Sequence, residues 1–191
     1  MFYILAWFSF CIGYIFTKKE YTLSNKLEKF TWNSRIDAHQ KFPFSHIYKL
    51  GENNDYILLA ILVISINLTM VLIQYISGII LISPMILIYQ GFITGSLISQ
   101  ADKKTKYYSY IVLIFEIGAY STAGAISFHL GLTWLLWNGN LSKELINITE
   151  NLYFYLPLIL LILNGIFESW SVSKGIQGIP GKKAIKHKKY K

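Results

Sequence analysis

Residues 110–137 read YIVLIFEIGAYSTAGAISFHLGLTWLLW. The stretch is long and apolar enough to cross a bilayer, because a spanning helix needs about 20 predominantly apolar residues. It nevertheless carries Glu116, His129 and a run of small residues. A carboxyl at membrane depth is costly, so such a residue faces the interior of a helix bundle or a polar path. What Glu116 is for therefore decides how the chain is read.

Working outward, the same apolar character recurs at 2–16, 56–74, 76–98 and 152–170. Four of the five blocks reach the length of a span, and the first is short. With 53% hydrophobic and 15% charged residues over 191 positions, the chain is too oily for a soluble domain of its size. The blocks are continuous and do not alternate, which excludes β-barrel strands and leaves helices as the structure that satisfies backbone groups in lipid. The expected fold class is all-α: a polytopic helical membrane protein with about five transmembrane helices plus short interfacial helices. Residues 1–173 are expected to form a single transmembrane domain, followed by a basic cytoplasmic tail at 174–191. The basic flank follows the first block and no small-x-small cleavage pattern is present, so that block is expected to be a retained anchor and not a signal peptide. Cys11 is the one cysteine and lies inside it, where a thiol behaves as a small hydrophobe.

Local signals place the connections. Asn25 with Glu28 resembles a capping box and predicts a short helix from about Lys26 in the polar segment 17–55. Gly51, Glu52, Asn53, Asn54 and Asp55 supply turn and cap residues just before a helix starting near Tyr56. Gln74 to Gly78 leaves almost no room for a loop, which predicts a tight antiparallel hairpin with the next block. In that block Pro84 is expected to kink the helix, and Gly91 with Gly95, in GFITG, lets another backbone approach closely. Tyr107, Tyr108 and Tyr110 sit at the expected headgroup level, as do Trp134 and Trp137 at the other end of the fourth block. That block exceeds one simple span, so it tilts, extends past the lipid, or breaks near Gly124 or Gly131. Leu141, Leu145, Ile148 and Leu152 keep the spacing of one helical face through a polar stretch, the pattern of a helix lying along the membrane surface.

Orientation comes from the lysines. Seven lie between Lys174 and Lys191, and with five spans every net-positive segment falls on the cytoplasmic side. The expected localisation is the cell membrane, multi-pass, with the C-terminal tail cytoplasmic and the amino terminus outside. The bilayer itself is the first partner. Lys182, Lys183, Lys186, Lys188 and Lys189 also suit anionic lipid, while nucleic acid is not expected, because aromatic residues do not interleave with the lysines before Tyr190.

No reaction chemistry is legible. His129 stands alone, His39, His46 and His187 lack metal-ligand spacing, and HExxH, GxSxG and P-loop patterns do not occur. No catalytic residues, cofactor or metal are expected. Ala119, Ala123, Ser127 and Gly131 follow Glu116 at steps of three or four and define a face on which another helix packs closely. Three roles for Glu116 stay open: a tie between helices through Asn164, Ser121 or Thr122, the lining of a solute or proton pathway, or recognition of a partner. Glu168, near the end of the last block, is close enough to the interface to snorkel or to pair with Lys174.

The order of these features resembles the stage II sporulation protein M family of polytopic membrane proteins. The resemblance rests on the asparagine before the second span (Asn53 or Asn54), on GFITG, on FEIGAYSTAGAISFHLG and on the late NGIFES with Glu168. Glu116, Ala119, Gly124, Gly131 and Glu168 match the family pattern, whereas Ile114 and Phe115 depart from it just ahead of the glutamate. In spore formers the resemblance implies a membrane scaffold that helps to position peptidoglycan-degrading proteins during engulfment. The expected function is thus a non-enzymatic scaffold that forms a homo-oligomer or assembles with partner membrane proteins. The alternative is a transporter or channel subunit with Glu116 and Glu168 along its path.

Overall fold

The computed structural model describes residues 1–18, 46–47, 50, 53, 55–100, 103–137 and 139–173. Every regular element among them is helical: α1 (Phe2–Lys18), α2 (Tyr56–Ile79), α3 (Ser83–Gln100), α4 (Lys103–Leu135), α5 (Leu141–Thr149), a 3₁₀ turn (Leu152–Tyr155) and α6 (Leu156–Ser173). The all-α class agrees with the sequence reading. The helix expected from Lys26, Asn54 and the lysine tail lie outside the described residues.

Among the described residues, three helices are long and apolar enough to cross a membrane: Tyr56–Ile79, Lys106–Leu135 and Leu152–Ser171. α1 has 17 residues and α3 has 18. The third apolar block thus yields a shorter helix than its length in sequence predicts, because α2 consumes its beginning. The hairpin turn does not fall at Gln74–Gly78. α2 continues through Gly78 and stops at a left-handed residue, Leu81 (φ 63°), with Ile82 N–H bonded to Ser77 O and Leu81 N–H to Gly78 O, both at 2.8 Å. This is the double bond pattern of a Schellman stop, which usually has glycine where Leu81 stands. Gly78 is needed inside the helix instead, since a Cβ there would collide with Ser127 of α4.

Pro84 also differs from expectation. It lies in the first turn of α3, whose missing N–H has no intrahelical acceptor in any case, so it starts the helix and does not kink it. Pro157 occupies the same kind of position in α6.

α4 is the central helix. Half of its membrane-length window is buried inside the protein, against 22% for α2 and 28% for the last span. It runs unbroken for 33 residues past Gly124 and Gly131, about 50 Å, so of the three options the break is excluded. It contacts each of the five other α-helices among the described residues, most extensively α2 and α6. Large apolar side chains that stay exposed, such as Ile57, Ile61 and Leu72 on α2 and Ile159, Ile162 and Ile166 on α6, form outward faces suited to lipid.

Successive helices alternate in direction, which makes two pairs parallel. On α1 and α3, Ser9 Oγ donates to Ile88 O and Thr17 Oγ1 to Ser96 Oγ (2.7 Å), both at a sequence offset of 79. On α2 and α4, Tyr120 Oη donates to Asn67 Oδ1 (3.0 Å) and Ser127 Oγ meets Gln74 O (3.0 Å), both at an offset of 53. A constant offset is the signature of parallel helices in register. Although α2 leads directly into α3, each of them packs mainly on another helix: α3 on α1, and α2 on α4. The expected hairpin exists as a connection but is not the main packing partner of either helix.

α5 lies after the end of α4 and is capped by Asn140, whose Oδ1 accepts from Lys143 N at 3.2 Å. It buries none of its residues. Leu141 and Ile148 are half-buried, Leu145 and Leu152 are exposed, and Leu152 belongs to the 3₁₀ turn.

Candidate functional site

The residues singled out in the sequence divide between two places. Gly91 and Gly95 lie in the α1–α3 contact. A Cβ at Gly91 would meet Ala6 O at 2.5 Å, and one at Gly95 would overlap the Phe10 carbonyl. Gly13 of α1 meets Phe92 of α3 in the same way. The close approach that GFITG allows is therefore made within the chain.

The second place is the inner face of α4. Ala119, Ala123 and Ser127 are completely buried, and Leu130 and Gly131 continue the face. Ala119, Tyr120 and Ala123 pack with Val71 of α2, Leu87 of α3 and Leu161 of α6. Gly131 abuts the backbone carbonyls of Gly78 and Ile79, and Gly124 faces Gln74, Leu87 and Ser83. Ser83 Oγ donates to Gly124 O (3.3 Å), and Gln74 Nε2 donates to Gln90 Oε1 (2.9 Å). Small residues admit the neighbouring helices, and buried polar groups then tie them at fixed heights.

Sequence reasoning missed most of those ties. Asn67 and Gln74 are seven residues apart on α2, as are Tyr120 and Ser127 on α4, so each pair marks one helical face two turns apart. That matching interval was the available signal.

Glu116 and Glu168 occupy the groove bounded by α2, α4 and α6. Both carboxyls are half-buried, and they act on one another electrostatically and on the Tyr120 phenol. The antiparallel register of α4 and α6 explains the meeting. Tyr108 stacks on Phe167 at 6.2 Å, and a Cβ at Gly118 would meet Leu160 at 3.2 Å, which sets Glu116 opposite the turn of α6 just before Asn164. Side chains lean toward the amino end of their own helix, so in an antiparallel pair Glu116 and Glu168 lean toward each other.

Three expected partners of Glu116 are placed as follows. Thr122 Oγ1 turns back to Gly118 O (2.8 Å), Ser121 Oγ is buried without a hydrogen bond, and both amide atoms of Asn164 are buried without one. His129 is exposed with its ring against Trp137, and Asn53 is exposed in a turn. No group of three or more His, Cys, Asp and Glu side chains gathers among the described residues.

The family model described as Stage II sporulation protein M matches residues 2–171. The chain belongs to that family. The match spans the described helices from α1 into the end of α6, including both the α1–α3 contact and the groove of Glu116 and Glu168. Comparison with curated proteins and with solved structures gives no match. Family membership together with the apolar helices makes this a membrane protein of the Stage II sporulation protein M family.

Proposed function

We propose that the chain is a non-enzymatic integral membrane scaffold that assembles with itself or with partner membrane proteins, in the multi-pass orientation with its lysine tail cytoplasmic. The observation that supports this best is how the buried polar groups of α2 and α4 are used. Asn67, Gln74, Tyr120 and Ser127 bond across helices to hold the bundle in register, a use that fixes shape. A fixed shape is what a scaffold needs, and it accords with the role that the family resemblance implies.

Because the glycines of GFITG and the small-residue face of α4 are occupied within the chain, partner contacts on this reading use outward faces. α5 and the turn after it, with Leu145, Ile146, Leu152 and Tyr153 exposed, offer one such face beside the membrane surface. Anionic lipid at the lysine tail is a further expected contact.

The test is isolation of the tagged chain from its native membranes in mild detergent, with chemical crosslinking before extraction. Recovery of the same membrane proteins, or of a defined oligomer, in repeated preparations is expected. A chain that is always recovered alone and monomeric, crosslinked or not, would refute the scaffold. The convergence of Glu116 and Glu168 favours one second reading, a polar pathway. In reconstituted vesicles it requires a cation-coupled flux that Glu116→Gln abolishes while the chain still assembles.

A further inference from the structure

We propose that the groove between α2, α4 and α6 is a binding site for a hard metal cation, held by the carboxylates of Glu116 and Glu168 and by the side-chain oxygen of Asn164. The site is a binding site in its own right and does not depend on the scaffold reading.

Asn164 is the decisive residue. It is 0% exposed, and neither its oxygen nor its nitrogen has a hydrogen-bond partner. A buried amide left unsatisfied costs about 1–3 kcal/mol, and native structures rarely leave both ends of one amide open. Its placement in the helix shows where it points. Leu160, four residues earlier, lies against Gly118 of α4, and Leu161 lies in the core shared by α2, α3 and α4. Gly165, the next residue, faces Ile64 of α2. Asn164 falls between these directions, one turn before Glu168 on the same face, and so is aimed into the groove that the two carboxyls enter.

The groove is rich in oxygen acceptors. Two carboxylates accept only, and the Asn164 oxygen is open. The Tyr120 hydroxyl gives its proton away to Asn67 Oδ1 at 3.0 Å, and its oxygen is a further neutral acceptor within the field of both carboxyls. Hard cations are bound by this donor set, carboxylate, amide carbonyl and neutral oxygen. The Asn164 nitrogen would donate to a carboxylate oxygen not used by the metal.

A metal cation also suits the charge of the two glutamates, since ionisable side chains at membrane depth pair with charges or polar groups. A divalent cation neutralises both carboxylates, and a monovalent one neutralises them when one carboxyl keeps a proton. Filling the site joins α4 to α6 at mid-groove, below the ties that join α4 to α2.

The experiment uses the full chain in nanodiscs at neutral pH, followed by thermal unfolding through tryptophan fluorescence. Calcium, magnesium and sodium chlorides are each titrated against choline chloride at matched ionic strength. At least one metal is expected to raise Tm in a saturable way that choline does not reproduce, with one ion bound per chain by elemental analysis after desalting. Asn164→Leu and Glu168→Gln are each expected to weaken the apparent affinity by at least about tenfold, the lower bound even for groups that only orient a ligand. Equal Tm in all four salts overturns the site. A metal response that survives both substitutions together also overturns it, as does stabilisation by acid alone, which would identify a protonated pair. Should the glutamate variant not fold, the wild-type stoichiometry and Asn164→Leu still decide. Loss of partner capture with the metal response intact would remove the scaffold and leave the site standing.

Discussion

α1 with α3 and α2 with α4 are both parallel pairs in fixed register, yet they differ in which contact predominates. The first pair meets mainly backbone to backbone at Gly13, Gly91 and Gly95, with Ala6 and Phe10 filling what remains and Ser9 and Thr17 adding hydrogen bonds to α3. The second pair touches backbone at Gly131 but along most of its length keeps side chains between its helices and bonds them, Tyr120 to Asn67 and Ser127 to the Gln74 carbonyl. In lipid no hydrophobic drive brings helices together, so close packing and interhelical hydrogen bonds are the means available. A glycine contact is dry and intolerant of volume. A polar contact tolerates volume but must satisfy every group it buries, and at Asn164 the described protein atoms do not do so.

The sharpest way to break this contrast is Gly95→Leu. The new side chain would run into the Phe10 backbone, which cannot move as a side-chain end can. A loss of about 3 kcal/mol is expected, the upper part of the usual range for overpacking. A disulfide trap checks it. In a Cys11→Ser background, Thr17→Cys with Ser96→Cys should crosslink readily, because the two hydroxyls lie 2.7 Å apart, and Gly95→Leu should abolish the crosslink. Persistent crosslinking would mean that the glycines do not hold this pair together.

Asn164→Leu comes next and has the opposite sign. In metal-free buffer, replacing an unsatisfied amide by an apolar side chain of similar size is expected to stabilise the chain by about 1–2 kcal/mol. Tm measured in chelator tests this, and a fall in Tm would show that Asn164 is satisfied within the protein.

These effects also show why some of the structure was legible in sequence and some was not. Long apolar blocks, the acidic cap at Asp55 and the amphipathic spacing after Asn140 are local signals, and helices start at Tyr56 and Leu141 where expected. The end of α2 was not legible because its stop residue is Leu81, while the nearby glycine, Gly78, serves packing against Ser127. Pro84 was misplaced as a consequence. Pairing partners were less legible still. GFITG announces a close contact but does not name α1 as the other side, and nothing local says that α2 leaves α3 for α4. Glu116 stood out as a charge in lipid, whereas Asn164, more deeply buried, is uncharged and entered only as a candidate partner of Glu116 and as the first residue of NGIFES.

Tyr120→Phe sharpens the comparison from the polar side. It removes one interhelical hydrogen bond and leaves Asn67 Oδ1 short of a donor. A double-mutant cycle with Asn67→Ala is expected to give a coupling of about 1 kcal/mol, within the range measured for such bonds in membranes. Coupling near zero would make the α2–α4 register a product of the small residues Ala119 and Ala123, and the two pairs would then be alike.

The smallest effect is expected where the glycine pair itself uses a hydrogen bond. Thr17 Oγ1 and Ser96 Oγ are buried, and their contact at 2.7 Å is shorter than the Tyr120–Asn67 bond. Distance alone would rank it as the stronger tie. Its position argues otherwise, because Thr17 is next to Lys18 at the end of α1, at the level where headgroups and water supply alternative partners when the helices separate. Register there is already set by Gly13, Gly91 and Gly95 over the preceding turns. A cycle of Thr17→Val with Ser96→Ala should therefore give a coupling of about 0.5 kcal/mol or less, at the low end for membrane hydrogen bonds. A coupling above that of Tyr120 with Asn67 would place the stronger polar tie in the glycine pair, and the two pairs would no longer differ in what holds them.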